Sequence, residues 1–282
     1  MTTGPLYPAL AAAIRARRPA VLLTLLETPD GPPDGPPDER LARGAKMLLV
    51  DGEPPLGTLG DPELDRVVTR DAAGELAAGR TRTRRYGPRG EAGRDDVAVF
   101  VESFVPPPRM LIFGAVDFAG ALAQVSKVLG YHVTVVDART TFATPARFPT
   151  ADEVVVDWPH RLLAREGAGL TPRDAVCVLT HDAKFDVPAI VAALATRVGY
   201  LGAMGSRRTH GDRLRRLREA GVDDAGLARL RAPIGLDLGA VTPEETAISI
   251  CAEIIAVRAG RGVATPLRTG EGPIHIPEPA TA

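Results

Sequence analysis

Two short stretches carry residue types that can bind a ligand or do chemistry. "THDAKFD" supplies Thr180, His181, Asp182 and Lys184, and "GSRRT" supplies Ser206, Arg207 and Arg208. A serine that caps a helix leaves neighbouring backbone N–H groups free for an oxyanion, and two adjacent arginines add charge. A third stretch, "PIGLDLGAVTPEE", places Gly235 and Asp237 before a capping box of Thr242 and Glu245, with Pro243 at the first helical position. Upstream, residues 110–125, "MLIFGAVDFAGALAQV", have the outline of the strand, turn and helix of a dinucleotide-binding unit. The glycine register there reads Gly114, Val116, Ala119, and Asp117 stands where phosphate would approach. Asp137, 23 residues after Gly114, falls where a ribose-binding acid belongs, and Arg139 follows it. These twelve positions, from Gly114 to Asp237 and without Asp117, form the candidate cofactor-binding set. No catalytic residue and no metal ligand is assigned.

Each position also has a plain structural reading. Glycine after a strand makes a turn, Asp137 can bond locally, and a lone His–Asp pair is a weak catalytic signal. Most arginines of "SRRTHGDRLRRLRE" read as a solvated helix face. What favours a site is that all these positions follow strands.

The elements that would position them read as an α/β domain. "RMLIFGA", "HVTVVDA", "DEVVV", "DAVCVLT" and "GYLGAM" are five apolar strands. Between them, helices fit a segment carrying Leu122, Val125 and Leu129 on one face, then 187–197, 206–220 and 243–258. Strands alternating with amphipathic helices predict a Rossmann-like parallel sheet covered on both faces, with ligands beyond the carboxyl ends of the strands. Asp117 is expected at the helix start, either capping it or filling the anion site itself. Cys177 reads as a strand residue. Cys251 is read onto a buried face with Ala247, Ile248, Ile254 and Ile255.

Pro106 to Pro108 interrupt the chain and predict an exposed connector. Before it, a smaller N-terminal α+β domain is expected over 1–105. "AVLLTLLET" is a buried strand, "PDGPPDGPPDER" a loop, and "AKMLLVDGEPPLGTLG" two strands. "DPELDRVVTRDAAGELAAG" is a helix capped by Asp61 and ended by Gly79, and "RTRTRRYG" and "DDVAVFVESF" alternate as strands. The Rossmann-like domain is assigned to 109–260 and a C-terminal extension to 261–282.

The sequence has 282 residues, 34 basic against 35 acidic, and 45% hydrophobic residues. A net charge near zero argues against nucleic acid or an anionic membrane as a bulk partner. Two distant cysteines argue against a disulfide framework or a cysteine zinc cluster and suit a reducing compartment. The first nineteen residues read as an amphipathic helix rather than a signal, so a cytoplasmic location is expected.

Four segments together resemble the XdhC/CoxI family, the accessory proteins of xanthine dehydrogenase and related molybdenum hydroxylases. They are "HVTVVDARTTFATPARFPTADEVVV", "VLTHDAKFDVPAI", "GYLGAMGSRRTHGDRL" and "APIGLDLGAVTPEETAISICAEIIAVRAG". They cover most of 110–260 in order, and "GPIHI" near the end has the same look. "GSRRT" followed by "PIGLDLGA" and "TPEE" is far more specific than a glycine fingerprint. The resemblance implies a maturation factor that binds molybdenum cofactor and delivers it, sulfurated, to an apo molybdenum hydroxylase. It adds a cysteine desulfurase and a second copy of the chain as candidate partners. Departures are visible. The family's first turn, Gly-Ala-Gly-His-Val-Gly, reads "GAVDFAG" here, and its His-Asp-His reads "HDA". The N-terminal segments "LGTLGDPELD" and "GEAGRDDVAVFVE" lack the family's cysteines. Two rival readings remain: an NAD(P)-dependent oxidoreductase, which Val116 and Asp117 oppose, and a cofactor-free scaffold that docks to the hydroxylase.

Overall fold

The computed structural model describes residues 4–29, 40–261 and 264–269. The chain divides into two compact units between Pro106 and Pro107. "GPIHI" and most of the proposed C-terminal extension lie outside the described residues, as does nearly all of the proline-rich loop.

In the first unit, α1 (Leu6–Arg15), β1 (Ala20–Glu27), β2 (Lys46–Val50), β3 (Leu56–Gly57), α2 (Pro62–Ala78), β4 (Arg82–Tyr86) and β5 (Val97–Phe104) follow in order. The strands form an antiparallel sheet in the order β3-β2-β1-β5-β4. Alternation along β1 sorts its side chains between two cores. Val21, Leu23 and Leu25 join Leu64, Val68 and Ala72 of α2. Ala20 and Leu22 join Leu10 and Ala13 of α1. Asp61 caps α2 by accepting from the Glu63 and Leu64 N–H groups, and Gly79 ends it in the left-handed region.

The second unit runs β6 (Arg109–Phe113), α3 (Asp117–Val128), β7 (His132–Val136), β8 (Glu153–Val155), α4 (Pro159–Glu166), β9 (Ala175–Val178), α5 (Ala183–Leu194), β10 (Tyr200–Ala203), α6 (Arg207–Glu219), α7 (Asp224–Arg229), β11 (Leu230–Arg231) and α8 (Pro243–Arg258). Its six strands are all parallel, in the order β11-β10-β9-β6-β7-β8. That is the doubly wound order, and strand order reverses between β6 and β9. Met110 and Ile112 pack with α3 and α8 on one face. Leu111 and Phe113 pack with α4, α5 and α6 on the other.

The Rossmann-like class holds, and several local readings change. α4, α7 and β11 add to the expected elements. α5 begins at Ala183 rather than 187, because Asp182 caps it through the Lys184 N–H. Pro188 therefore lies inside the helix and not at its start. Ile248 and Ile255 are exposed, and the buried face of α8 is Ala247, Ile250, Cys251 and Ile254. Asp117 does begin α3, yet Val116 is the cap residue and no side chain caps the helix. The Asp117 carboxylate is 90% exposed and pairs with Arg147 at 3.4 Å. The three-proline connector is not wholly exposed: Pro107 is, while Pro106 and Pro108 are half-buried. The Pro108 carbonyl accepts from the His132 N–H at 2.8 Å, which extends the β6–β7 ladder.

Candidate functional site

At the β6–β9 crossover the two strands approach so closely that only glycine fits after β6. Gly114 has φ +111°, and a Cβ there would lie 2.7 Å from Thr180 Cγ2 and 3.1 Å from the Thr180 N. The next backbone N–H, that of Ala115, donates to Asp137 Oδ2 at 2.9 Å. Asp137 is only 3% exposed. Its Oδ1 accepts from the Arg139 N–H and from Arg139 Nε, both at 2.9 Å, and Arg139 Nη2 donates to Oδ2 at 2.7 Å. Burial pushes this carboxyl up, but the Arg139 side chain, the Ala115 N–H and the Arg139 N–H outweigh it and hold it below the usual carboxylate range. The acid in the ribose position thus ties the first turn to the second strand. Arg139 also stacks on Phe142, 4.4 Å from the ring centroid.

Beyond β9, the Thr180 hydroxyl donates to Asp186, which is 3% exposed. Asp186 Oδ2 accepts from Arg213 Nη2 at 2.9 Å, and the same nitrogen donates to the Met204 carbonyl at 2.8 Å. This buried chain joins the ends of β9 and β10 to α5 and α6. Burial pushes the Asp186 carboxyl up, against the pull of Thr180 and Arg213. Neither Asp186 nor Arg213 stands out in the sequence, and Arg213 sits in the helix read as solvated. The available signal is helical spacing: Arg213 lies four residues before Leu217, on the buried stripe of α6. Arg213 Nη1 and His210 Nδ1 are buried without a hydrogen-bond partner among the described residues.

His181, Asp182 and Lys184 are exposed. Lys184 Nζ pairs with Asp182 at 3.4 Å, and Asp182 also feels Arg139.

The remaining candidates line an open cleft of about 560 Å³. On one side are Gly205, Ser206, Arg207 and Arg208, where Ser206 Oγ caps α6 by accepting from the Thr209 N–H at 3.1 Å. On the other are Gly235, Leu236 and Asp237. The Arg207 side chain is 90% exposed and lies 3.8 Å from Asp237. The facing loop is pinned by α8. Glu253 Oε2 accepts from the Gly235 N–H at 2.8 Å and from the Tyr200 hydroxyl at 2.6 Å. Ser249 Oγ donates to the Leu236 carbonyl. Gly235, at φ +95°, has no room for a Cβ, which would sit 2.5 Å from Ser249 Oγ.

The twelve sequence candidates therefore fall into two groups, which meet where His181 and Arg208 line a common cavity of about 310 Å³. Gly114, Asp137, Arg139, Thr180, His181, Asp182 and Lys184 follow β6, β7 and β9. Ser206, Arg207, Arg208, Gly235 and Asp237 line the cleft beyond β10. Thiolate chemistry is poorly served. Cys177 and Cys251 are buried, and burial pushes both thiols up. No group of three or more potential metal ligands occurs among the described residues. Among them, too, no helix is long and apolar enough to cross a membrane.

Strand order, crossover and terminal loops define a doubly wound, Rossmann-like α/β domain with an altered first turn. Within that class, residues 110–254 match the family described as the XdhC Rossmann domain, and the chain belongs to that family. It is 30% identical over 222 residues to the uncharacterized protein YqeB of Escherichia coli strain K12, covering 76% of this chain and 40% of the relative. It is 32% identical over 160 residues to a probable xanthine dehydrogenase subunit of Bacillus subtilis strain 168, covering 57% and 46%. It is 30% identical over 159 residues to the molybdenum cofactor insertion chaperone PaoD of Escherichia coli strain K12, covering 56% and 43%. The chain thus spans less than half the length of these relatives. A solved structure described as a xanthine dehydrogenase from Bacillus halodurans aligns over 92% of this chain and 97% of its own, with 21% identity and a TM-score of 0.48.

Proposed function

We propose that this chain is an accessory factor for a molybdenum hydroxylase and holds the phosphate end of molybdenum cofactor in the cleft between Ser206–Arg208 and Gly235–Asp237. The observation that carries the reading is the donor set of that cleft. The N-terminus of α6 and two exposed guanidinium groups face an open volume beside a loop pinned by Glu253 and Ser249. Guanidinium forks and helix N-termini suit a phosphate. Asp237 opposes an anion, but it is exposed and already shares Arg207. The names of two relatives, one a cofactor insertion chaperone and the other part of a xanthine dehydrogenase, support the same direction.

The residues fit the anionic end of the group, while both thiols, the soft ligands its metal would favour, are buried. When bound, the cofactor supplies a molybdenum redox centre whose chemistry serves the recipient enzyme. This chain's residues hold and orient the phosphate. The first turn argues against an NAD(P) enzyme. Asp137 is saturated by Ala115 and Arg139, and Val116 replaces a glycine that would admit a pyrophosphate.

The test is cofactor retention by wild type and by Arg207→Ala, both expressed in cells that make the cofactor, with activation of a xanthine-dehydrogenase-type client read in parallel. A charged hydrogen bond lost there weakens binding by about tenfold or more. Client activation without cofactor in any sample would leave the scaffold reading in its place.

A further inference from the structure

We propose that the outer face of α8 docks a second copy of this chain, the two helices running antiparallel across a two-fold axis. The proposal concerns a different surface from the cofactor cleft and does not rest on that reading. From Ala247 to Val257, only Ser249 and Glu253 are polar, so α8 is apolar nearly all round, the pattern of a helix with neighbours on every side. Its inner face is spent on the core, through Ala247, Ile250, Cys251 and Ile254. Its two polar residues hold the loop at Gly235 and Leu236.

The outer face carries Ile248, Ala252 and Ile255, whose spacing sets them in one stripe. Ile248 is 53% exposed and Ile255 42%. Leu238 and Val241, in the loop that enters the helix, are exposed as well. A single isoleucine in water is ordinary, but an aligned set on a helix already apolar on its other side marks an interface. The charges at the two ends of α8 say which partner fits. Glu244 lies in the first turn and Arg258 in the last, and both are exposed. Neither forms an ion pair among the described residues. A two-fold axis between Cys251 and Ala252 sets Ile248 against the partner's Ile255, because both lie equally far from that point. At nearly the same centre it brings Glu244 beside the partner's Arg258. Each contact occurs twice in such a dimer. The face is therefore complementary to itself in charge as well as in apolar surface. Glu244 and Arg258 also suit the dipole of their own helix, and the test separates the two roles.

The test is the oligomeric state of the full chain, by sedimentation velocity over roughly 1 to 100 µM. A concentration-dependent dimer is expected. Ile255→Glu, at an exposed position, should keep the wild-type circular dichroism spectrum and weaken the dimer by about tenfold or more. Glu244→Lys and Arg258→Glu should each weaken it alone. An equimolar mixture of those two variants should restore association, because each mixed dimer then holds two opposite-charge contacts. Charges that serve only their own helix give no such rescue. A chain that stays monomeric throughout overturns the proposal and leaves the face to another protein. A dimer that survives Ile255→Glu overturns it by placing the contact elsewhere. So does a mixture that associates no better than its two components.

Discussion

Asp137 shows how one residue can keep its place in a fold and change its work. In a dinucleotide site the acid after the second strand is free to meet a ribose. Here both its oxygens are filled, by the Ala115 N–H on one side and the Arg139 side chain on the other. The chain should therefore bind NAD and NADP weakly or not at all, and calorimetry showing micromolar affinity for either would contradict this. The same bonds set a pH dependence. Asp137 is held below its unfolded value, so its contribution is present above about pH 4 and is lost as pH falls from there through the lowered folded value. Asp137→Asn should shift the acid-unfolding profile in that window, and an unchanged acid limb would show that the bonds contribute little. Gly114 is the other constrained position. Gly114→Ala adds a methyl group at φ +111° and 2.7 Å from Thr180 Cγ2, which should cost about 2–4 kcal/mol in chemical denaturation.

At the level of elements, the strands other than the two-residue β11 are legible in the sequence and the buried polar links are not. "MLIF" and "AVCV" are continuous apolar runs and "VTVV" is broken only by Thr134, the expected mark of strands covered on both faces. Ser206 and Thr242 announce their helices by capping chemistry, and both caps are made. Ser206→Ala should lower stability by about 1 kcal/mol, read as a lower urea midpoint with unchanged slope. The start of α5 is misleading because Pro188 suggests a first helical turn, whereas the cap at Asp182 lies six residues earlier. Asp186 and Arg213 escape notice because each is one charged residue among many in sequence. Only the folded spacing of α5 and α6 brings them to 2.9 Å. A sequence with charged residues at roughly every fourth position gives no sign of which will be buried as a pair.

For the whole molecule, the two compact units meeting at Pro106–Pro107 each contain their own apolar clusters. We propose that each folds without the other. A fragment beginning at Pro107 should unfold in one cooperative transition, and a broad, non-cooperative melt would show that it needs the first unit. The Pro108 carbonyl belongs to the β6–β7 ladder, so a fragment starting after Pro108 should be less stable than one starting before it. Belonging to the XdhC Rossmann-domain family accounts for the second unit, which the match covers, and leaves the first to be read from its own sheet.

The central pair of the parallel sheet has a consequence in time. β6 is the first strand of its unit to be made, yet its β9 partner lies far along the chain. The Arg109 N–H waits for the Asp174 carboxylate 65 residues later. Contacts that close long loops form slowly, because the loop must be ordered before they add stability. On the ribosome, the seam at which Gly114 meets Thr180 cannot exist until β9 has emerged, and the Asp186–Arg213 pair must wait longer still. While the residues between β6 and β9 are being made, the chain carries an apolar β6 with one edge open, so the newly made protein is exposed to wrong pairing at a seam its finished form packs closely.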